Sequence, residues 1–104
     1  MADEEQRTPQ SLRLETVLNA LGDPVRLGIV RRLARDGECS CAALDGGRSK
    51  STMSHHFRVL RQAGLVQTRG QGTTHLNTLS RSAIDAAFPG LLSAVLEAPA
   101  EPGG

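Results

Sequence analysis

The apolar positions of the chain fall into helical stripes interrupted by one strand-like stretch. Leu14, Val17, Leu18 and Leu21 recur at three- and four-residue steps and predict a short amphipathic helix ending near Gly22. Asp23-Pro24 restarts the chain as helix cap and first helical residue. Val25, Ile29, Val30 and Leu33 form the inward stripe of a second helix, with Arg26, Arg31, Arg32 and Arg35 mostly outward and Asp36-Gly37 closing it. Residues 38–41 read as a very short strand, with Cys39 and Cys41 on one side by the two-residue period. Ala42, Ala43 and Leu44 make one helical turn, stopped at Asp45-Gly46-Gly47.

The next stretch, SKSTMSHHFRVLRQAG at 49–64, organises the rest. Met53, His56, Phe57 and Leu60 stand at i, i+3, i+4 and i+7 and form one inward stripe. Ser49 is a helix N-cap and Gly64 a C-terminal stop, so both ends are specified locally. The opposite face carries Ser51, Thr52, Ser54, His55, Arg58 and Gln62, all hydrogen-bonding side chains. A helix anchored on one side and polar or cationic on the other suits a DNA major groove, although an ordinary solvated face has the same composition.

After Gly64 the period shortens to that of a strand. Residues 65–69 run into Gly70-Gln71-Gly72, and 73–79 return, which reads as a hairpin with a Gly-x-Gly tip. One turn of helix, a glycine turn, a longer helix and a hairpin is the order of elements in a winged helix-turn-helix. Ser80 then caps a last helix whose apolar face includes Ile84, Phe88, Leu91, Leu92, Val95 and Leu96, kinked or split at Pro89-Gly90. Residues 1–10 and the Pro/Gly tail 98–104 lack periodicity and are expected to be flexible, leaving one domain over 11–97.

Composition narrows the fold class. Of 104 residues only Phe57 and Phe88 are aromatic, so the core must be Leu, Val, Ile and Ala, which favours packed helices over a sandwich or barrel. No apolar run reaches membrane-spanning length and no signal peptide opens the chain, so a cytoplasmic location is expected and no membrane partner. The net charge of +1 hides an uneven distribution. Residues 46–84 hold Arg48, Lys50, Arg58, Arg61, Arg69 and Arg81 and no Asp or Glu, between acidic flanks. An acid-free stretch centred on the polar-faced helix is the footprint of a polyanion partner.

The same stretch argues against catalysis. Ser and Thr abound, but no carboxylate between Gly46 and Ile84 could orient a catalytic histidine, so no enzyme is expected. His56 belongs to the apolar stripe as a core residue, His55 faces the expected groove, and His75 has no assigned role. The pair Cys39 and Cys41 is too small for a disulfide framework. Two thiolates are also short of the three or four ligands a soft metal takes, and no cofactor is expected.

These residues carry a family resemblance. Ala20-Leu21-Gly22-Asp23-Pro24-Val25-Arg26-Leu27 resembles the ALGDPTRL opening of ArsR-type (arsenic-repressor-like) winged-helix regulators. Residues 49–60 resemble that family's recognition helix, SQSTVSxHLxxL, and 61–66 its REAGLV exit into the wing. The similarity runs without gaps from about Leu14 to Leu79. It implies a homodimer joined by first and last helices, an inverted-repeat operator, usually repression, and commonly an inducer, which the sequence leaves unknown. The CxC metal sensors of the family carry ELCVCDL. Against that pattern Cys39 and Cys41 stand one position early, on sites usually filled by apolar residues, with Ser40 and Ala42 at the ligand positions.

The sequence therefore predicts a mainly α fold with a small β-hairpin, about five helices plus a wing, acting as a homodimeric DNA-binding transcriptional regulator. Ser51, Thr52, Ser54, His55 and Arg58 are expected at base edges or in the groove. Ser49, Lys50, Arg61, Arg69, Gln71, Thr73 and Thr74 are expected mainly at phosphates. Leu14, Val17, Leu18, Phe88, Leu91, Leu92 and Val95 are the expected dimer surface. The alternatives are a winged helix that binds an acidic protein surface, or a repressor sensing metal or oxidant through Cys39 and Cys41.

Overall fold

The computed structural model describes residues 12–99, so the expectations for 1–10 and for most of the 98–104 tail lie outside it. The described chain forms six helices and three strands. In order these are α1 (Leu14–Leu21), α2 (Pro24–Asp36), β1 (Cys39–Ser40), α3 (Cys41–Leu44), α4 (Lys50–Gln62), β2 (Val66–Gln71), β3 (Thr74–Leu79), α5 (Arg81–Ala87) and α6 (Leu91–Glu97). Two helices rather than one follow the wing. Phe88 leaves the helical region, and Gly90 restarts the chain at φ +86°, which a residue with a Cβ adopts at a cost. No helix among the described residues is long and apolar enough to cross a membrane.

One core joins the helices to the sheet. Val17 of α1, Val30 of α2, Leu60 of α4, Leu65, Ile84 of α5 and Leu92 of α6 are all completely buried. Each such side chain contributes about 1.5–3 kcal/mol by leaving water. Met53 and Phe57 complete the inward face of α4, each 4% exposed. The stripe read from the sequence is therefore the buried one, with His56 only partly buried at its edge.

Local chemistry sets the helix ends. The Asp23 carboxylate accepts from the backbone N–H groups of Val25 (2.9 Å) and Arg26 (3.0 Å), with Pro24 at the first helical position. Ser49 Oγ accepts from the Thr52 N–H at 3.2 Å and caps α4. At the other end of α4 the chain turns through Gly64 at φ +80°, and the Leu65 N–H reaches back to the Leu60 carbonyl at 3.0 Å. A side chain at Gly64 would also collide with Leu12.

The strands form an antiparallel sheet in the order β1-β3-β2. In the wing Val66 faces Leu79 and Gln71 faces Thr74, so the tip is the two-residue turn Gly72-Thr73, not Gly70-Gln71-Gly72. Gly70 and Gln71 remain in the ladder, opposite His75 and Thr74. Only Gly72 takes a positive φ (+63°), the demand a two-residue hairpin turn makes of its first residue.

Expectations for individual side chains are corrected as well. Arg26 does not face outward: it is 9% exposed, because the C-terminal carbonyls of α1 sit directly over its position. Cys41 is not a strand residue. Ser40 accepts the Ala43 N–H at 3.1 Å, which ends β1 after two residues and makes Cys41 the first residue of α3. Val17 and Leu92 are wholly buried within one chain, since the core uses the middle of each apolar face, and neither is available to a second copy. Leu14 and Leu18 remain 44% and 47% exposed, while Phe88, Leu91 and Val95 are half-buried.

Candidate nucleic-acid interface

The outer face of α4 presents Lys50, Ser51, Thr52, Ser54, His55, Arg58 and Arg61, all exposed, next to exposed Ser49 at its start. They project because Met53, Phe57 and Leu60 commit the opposite face to the core. Not all of them are equally free. The Ser49 hydroxyl donates to Thr52 Oγ1 at 3.0 Å while capping the helix, so both side chains are partly spent on holding the first turn. One Arg58 guanidinium nitrogen lies 3.4 Å from His55 Nδ1, so these two neighbours one turn apart form a single polar unit. Arg61 reaches off the helix and donates to Thr68 Oγ1 of β2 at 3.5 Å.

The wing supplies a second exposed group. Gln71, Thr73 and Thr74 surround its tip, and all are exposed. Arg69 is exposed too, but it is not free: Nε and an Nη nitrogen each donate to the Glu38 carboxylate at 3.0 Å. Folding therefore brings one acid from outside the 46–84 stretch onto its edge. A bidentate contact holds Arg69 more firmly than a single bond would, and it cancels one of the basic charges counted along the sequence.

Two buried polar groups fix how α4 and the wing sit on the body. Arg26 donates through Nε to the Ala20 carbonyl (2.9 Å) and through an Nη nitrogen to the Asn19 carbonyl (3.2 Å). A cation thereby satisfies the C-terminal carbonyls of α1, where the helix dipole favours it. Its other Nη nitrogen lies 3.2 Å from His56 Nδ1. Since a guanidinium only donates, Nδ1 is the acceptor, and the proton of the neutral ring is on Nε2. Asp23 stands 3.9 Å from the same His56 nitrogen. Desolvation is the largest single influence on Asp23 and raises it. The Arg26 and Val25 N–H bonds, with the charge of the Arg26 guanidinium, outweigh it and leave the carboxyl below its usual range.

The second group is Asn77 in β3, completely buried. Its amide donates to the Cys39 carbonyl and to Cys41 Sγ, both at 3.3 Å, and its oxygen accepts the Thr68 hydroxyl at 2.7 Å. One side chain thus ties β1, α3 and β2 together, and through Thr68 touches Arg61 of α4. Neither Arg26 nor Asn77 was assigned a role from the sequence. An asparagine in a strand, where it is disfavoured, was the available signal. Cys39 is buried with its thiol directed at the Gly37 carbonyl (3.4 Å). Among the described residues no three His, Cys, Asp or Glu side chains gather into a metal-binding group.

A short helix, a glycine turn, an exposed polar helix and a hairpin on one face define a winged helix-turn-helix DNA-binding protein. Residues 21–69 match the family model described as a helix-turn-helix domain. The chain is similar to an arsenical resistance operon repressor of Staphylococcus xylosus, 37% identical over 73 residues that cover 69% of this chain and 70% of the relative. Among solved structures it is similar to HlyU from Vibrio cholerae (31% identity, 83% and 88% of the two chains, TM-score 0.63). A crystal structure of an ArsR family transcriptional regulator shares the fold at 22% identity and a TM-score of 0.65, over 83% of this chain and 98% of that one. The matched stretch spans about two thirds of the length of these curated relatives. The chain belongs to the ArsR-type family of winged helix-turn-helix transcriptional regulators. It is a DNA-binding regulator and not an enzyme.

Proposed function

We propose that the protein is a transcriptional repressor that binds an inverted-repeat operator as a homodimer, with α4 in the major groove and the wing tip on the adjoining backbone. The observation that carries this reading is the exposed face of α4 and wing, which holds Lys50, Arg58, Arg61 and a row of hydroxyls with no acid of its own. Ser51, Thr52, Ser54, His55 and Arg58 read bases. Ser49, Lys50, Arg61, Gln71, Thr73 and Thr74 meet phosphates and set register. Arg69 joins them only when it leaves Glu38. Leu14 and Leu18, one turn apart on α1 and exposed in the single chain, form the centre of the dimer surface, with Phe88, Leu91 and Val95 at its edge. Cys39 and Cys41 act in packing and in the Asn77 tie, which accounts for both thiols without a metal.

Selection of genomic fragments with the purified chain tests the reading. A recurrent palindromic site is expected, with affinity falling about 0.9 log unit per tenfold salt for each phosphate contacted. The absence of any duplex binding at low salt would overturn it in favour of a protein-binding winged helix. Leu18→Glu should leave a folded monomer in sedimentation, retaining weak half-site binding; an unchanged dimer would move the interface elsewhere.

A further inference from the structure

A cleft of about 570 Å³ opens between α3, the first two turns of α4 and the returning strand of the wing. At its base lie the edges of Met53 and Phe57, each otherwise buried in the core, with exposed Ala42 in one wall. Two cations stand on its rim, Arg48 and Lys50 from the start of α4, and the His75 ring enters from the wing. Asp45 is the one acid in the lining, and its carboxylate already accepts the Gly47 N–H at 2.9 Å. Among the described residues neither Arg48 nor Lys50 has an ion-pair partner; Arg48 donates only to the Asp45 carbonyl, at 3.4 Å.

We propose that this cleft is a binding site for a small organic anion with a ring-sized apolar body and one carboxylate or sulfonate. The volume lies in the range of small-molecule sites, which combine an apolar lining with a few converging polar groups. The apolar body lies against Ala42 and the edges of Met53 and Phe57 that reach the cleft, and the acidic group sits between Arg48 and Lys50. A nucleic-acid phosphate matches the rim but has nothing to offer the apolar part of the lining, which is why the occupant is an amphipathic small molecule. Lys50, Ser54, Thr73 and Thr74 line the cleft and also belong to the DNA-binding face, so occupant and duplex exclude one another. That last step rests on the DNA reading above; the site itself does not.

The experiment is a fluorescence titration of the purified chain with anilinonaphthalene sulfonate, an aromatic sulfonate, alone and with excess duplex DNA. Saturable binding at one dye per chain, reversed by duplex, is expected. Phenylnaphthylamine, which lacks the sulfonate, should bind at least about tenfold more weakly. Ala42→Phe fills the cleft from an exposed position, and Arg48→Glu reverses the rim. Each should weaken the dye about tenfold or more while the circular dichroism stays that of the wild type. Unsaturable dye uptake, equal binding of the uncharged analogue, or unchanged dye affinity in both folded variants would overturn the site. Dye held undiminished on a chain saturated with duplex would overturn the exclusion. Normal dye binding by a chain that binds no duplex would overturn the DNA reading and leave the cleft standing.

Discussion

The guanidinium of Arg26 on α2 lies 3.2 Å from His56 Nδ1 on α4, while two of its other nitrogens hold the last carbonyls of α1. One buried cation therefore joins three helices, and α4 is the one that presents the DNA-binding face. Arg26→Ala leaves the Asn19 and Ala20 carbonyls without their charged donor and should cost about 2–3 kcal/mol of stability. Arg26→Lys keeps the charge but not the fork, and should recover less than half of that. Urea denaturation measures both, and a loss under about 0.5 kcal/mol would show the contacts to be incidental.

Glu38 restrains the wing. Glu38→Gln should free Arg69 for a phosphate, tighten binding to any duplex, and steepen the salt dependence by about 0.9 in the log–log slope. Stability should change by less than about 1 kcal/mol, because the pair is exposed. An unchanged salt slope would mean that Arg69 stays clear of DNA even when released.

Asn77 supports the sheet from inside. Asn77→Leu strands the Thr68 hydroxyl and the Cys39 carbonyl, and should cost about 2–3 kcal/mol. A second readout separates this tie from general destabilisation. Cys41, having lost its amide donor, should react faster with a maleimide under native conditions, while Cys39 stays protected in the core. Equal protection of Cys41 in the folded variant would exclude the tie.

Arg58 is the strongest single candidate for sequence discrimination on α4. Arg58→Ala should cost about 1–3 kcal/mol on the selected operator and much less on random duplex. Equal losses on both would reassign Arg58 to a phosphate.

Acid should loosen the start of α2. The Asp23 carboxyl is held below its usual range in the folded chain, so the unfolded chain takes up its proton first as pH falls. The stability from Asp23 is complete above the unfolded value and disappears below about pH 4. Asp23→Asn preserves an N-cap without the titration and should flatten that limb of the stability profile. Asp36 behaves similarly at the surface. The Arg35 and then the Arg32 hydrogen bonds hold it at about 2, so it too keeps its charge below the ordinary aspartate range. An Asp23→Asn profile parallel to wild type would remove the cap from the acid transition.

What could be read from the chain alone is what depends on neighbours a few residues away. Met53, Phe57 and Leu60 recur at helical spacing, Asp23-Pro24 and Ser49 are short-range caps, and Gly64 is a stop. The helices, their buried faces and the exposed polar face of α4 therefore follow from local periodicity and capping. What periodicity omits is which element lies over a given face. Arg26 reads as a surface cation until α1 brings its carbonyls over it, and Arg69 reads as free until Glu38 arrives from 31 residues away. Val17 and Leu92 look like interface residues because apolar spacing cannot tell a core facing its own chain from one facing a second copy. The tie from Asn77 to Cys41 spans 36 residues, and the cleft exists only where α3, α4 and the wing converge. Such long-range pairings arise only when the chain packs, because they follow from the shape of the whole domain and not from the order of residues within any one element.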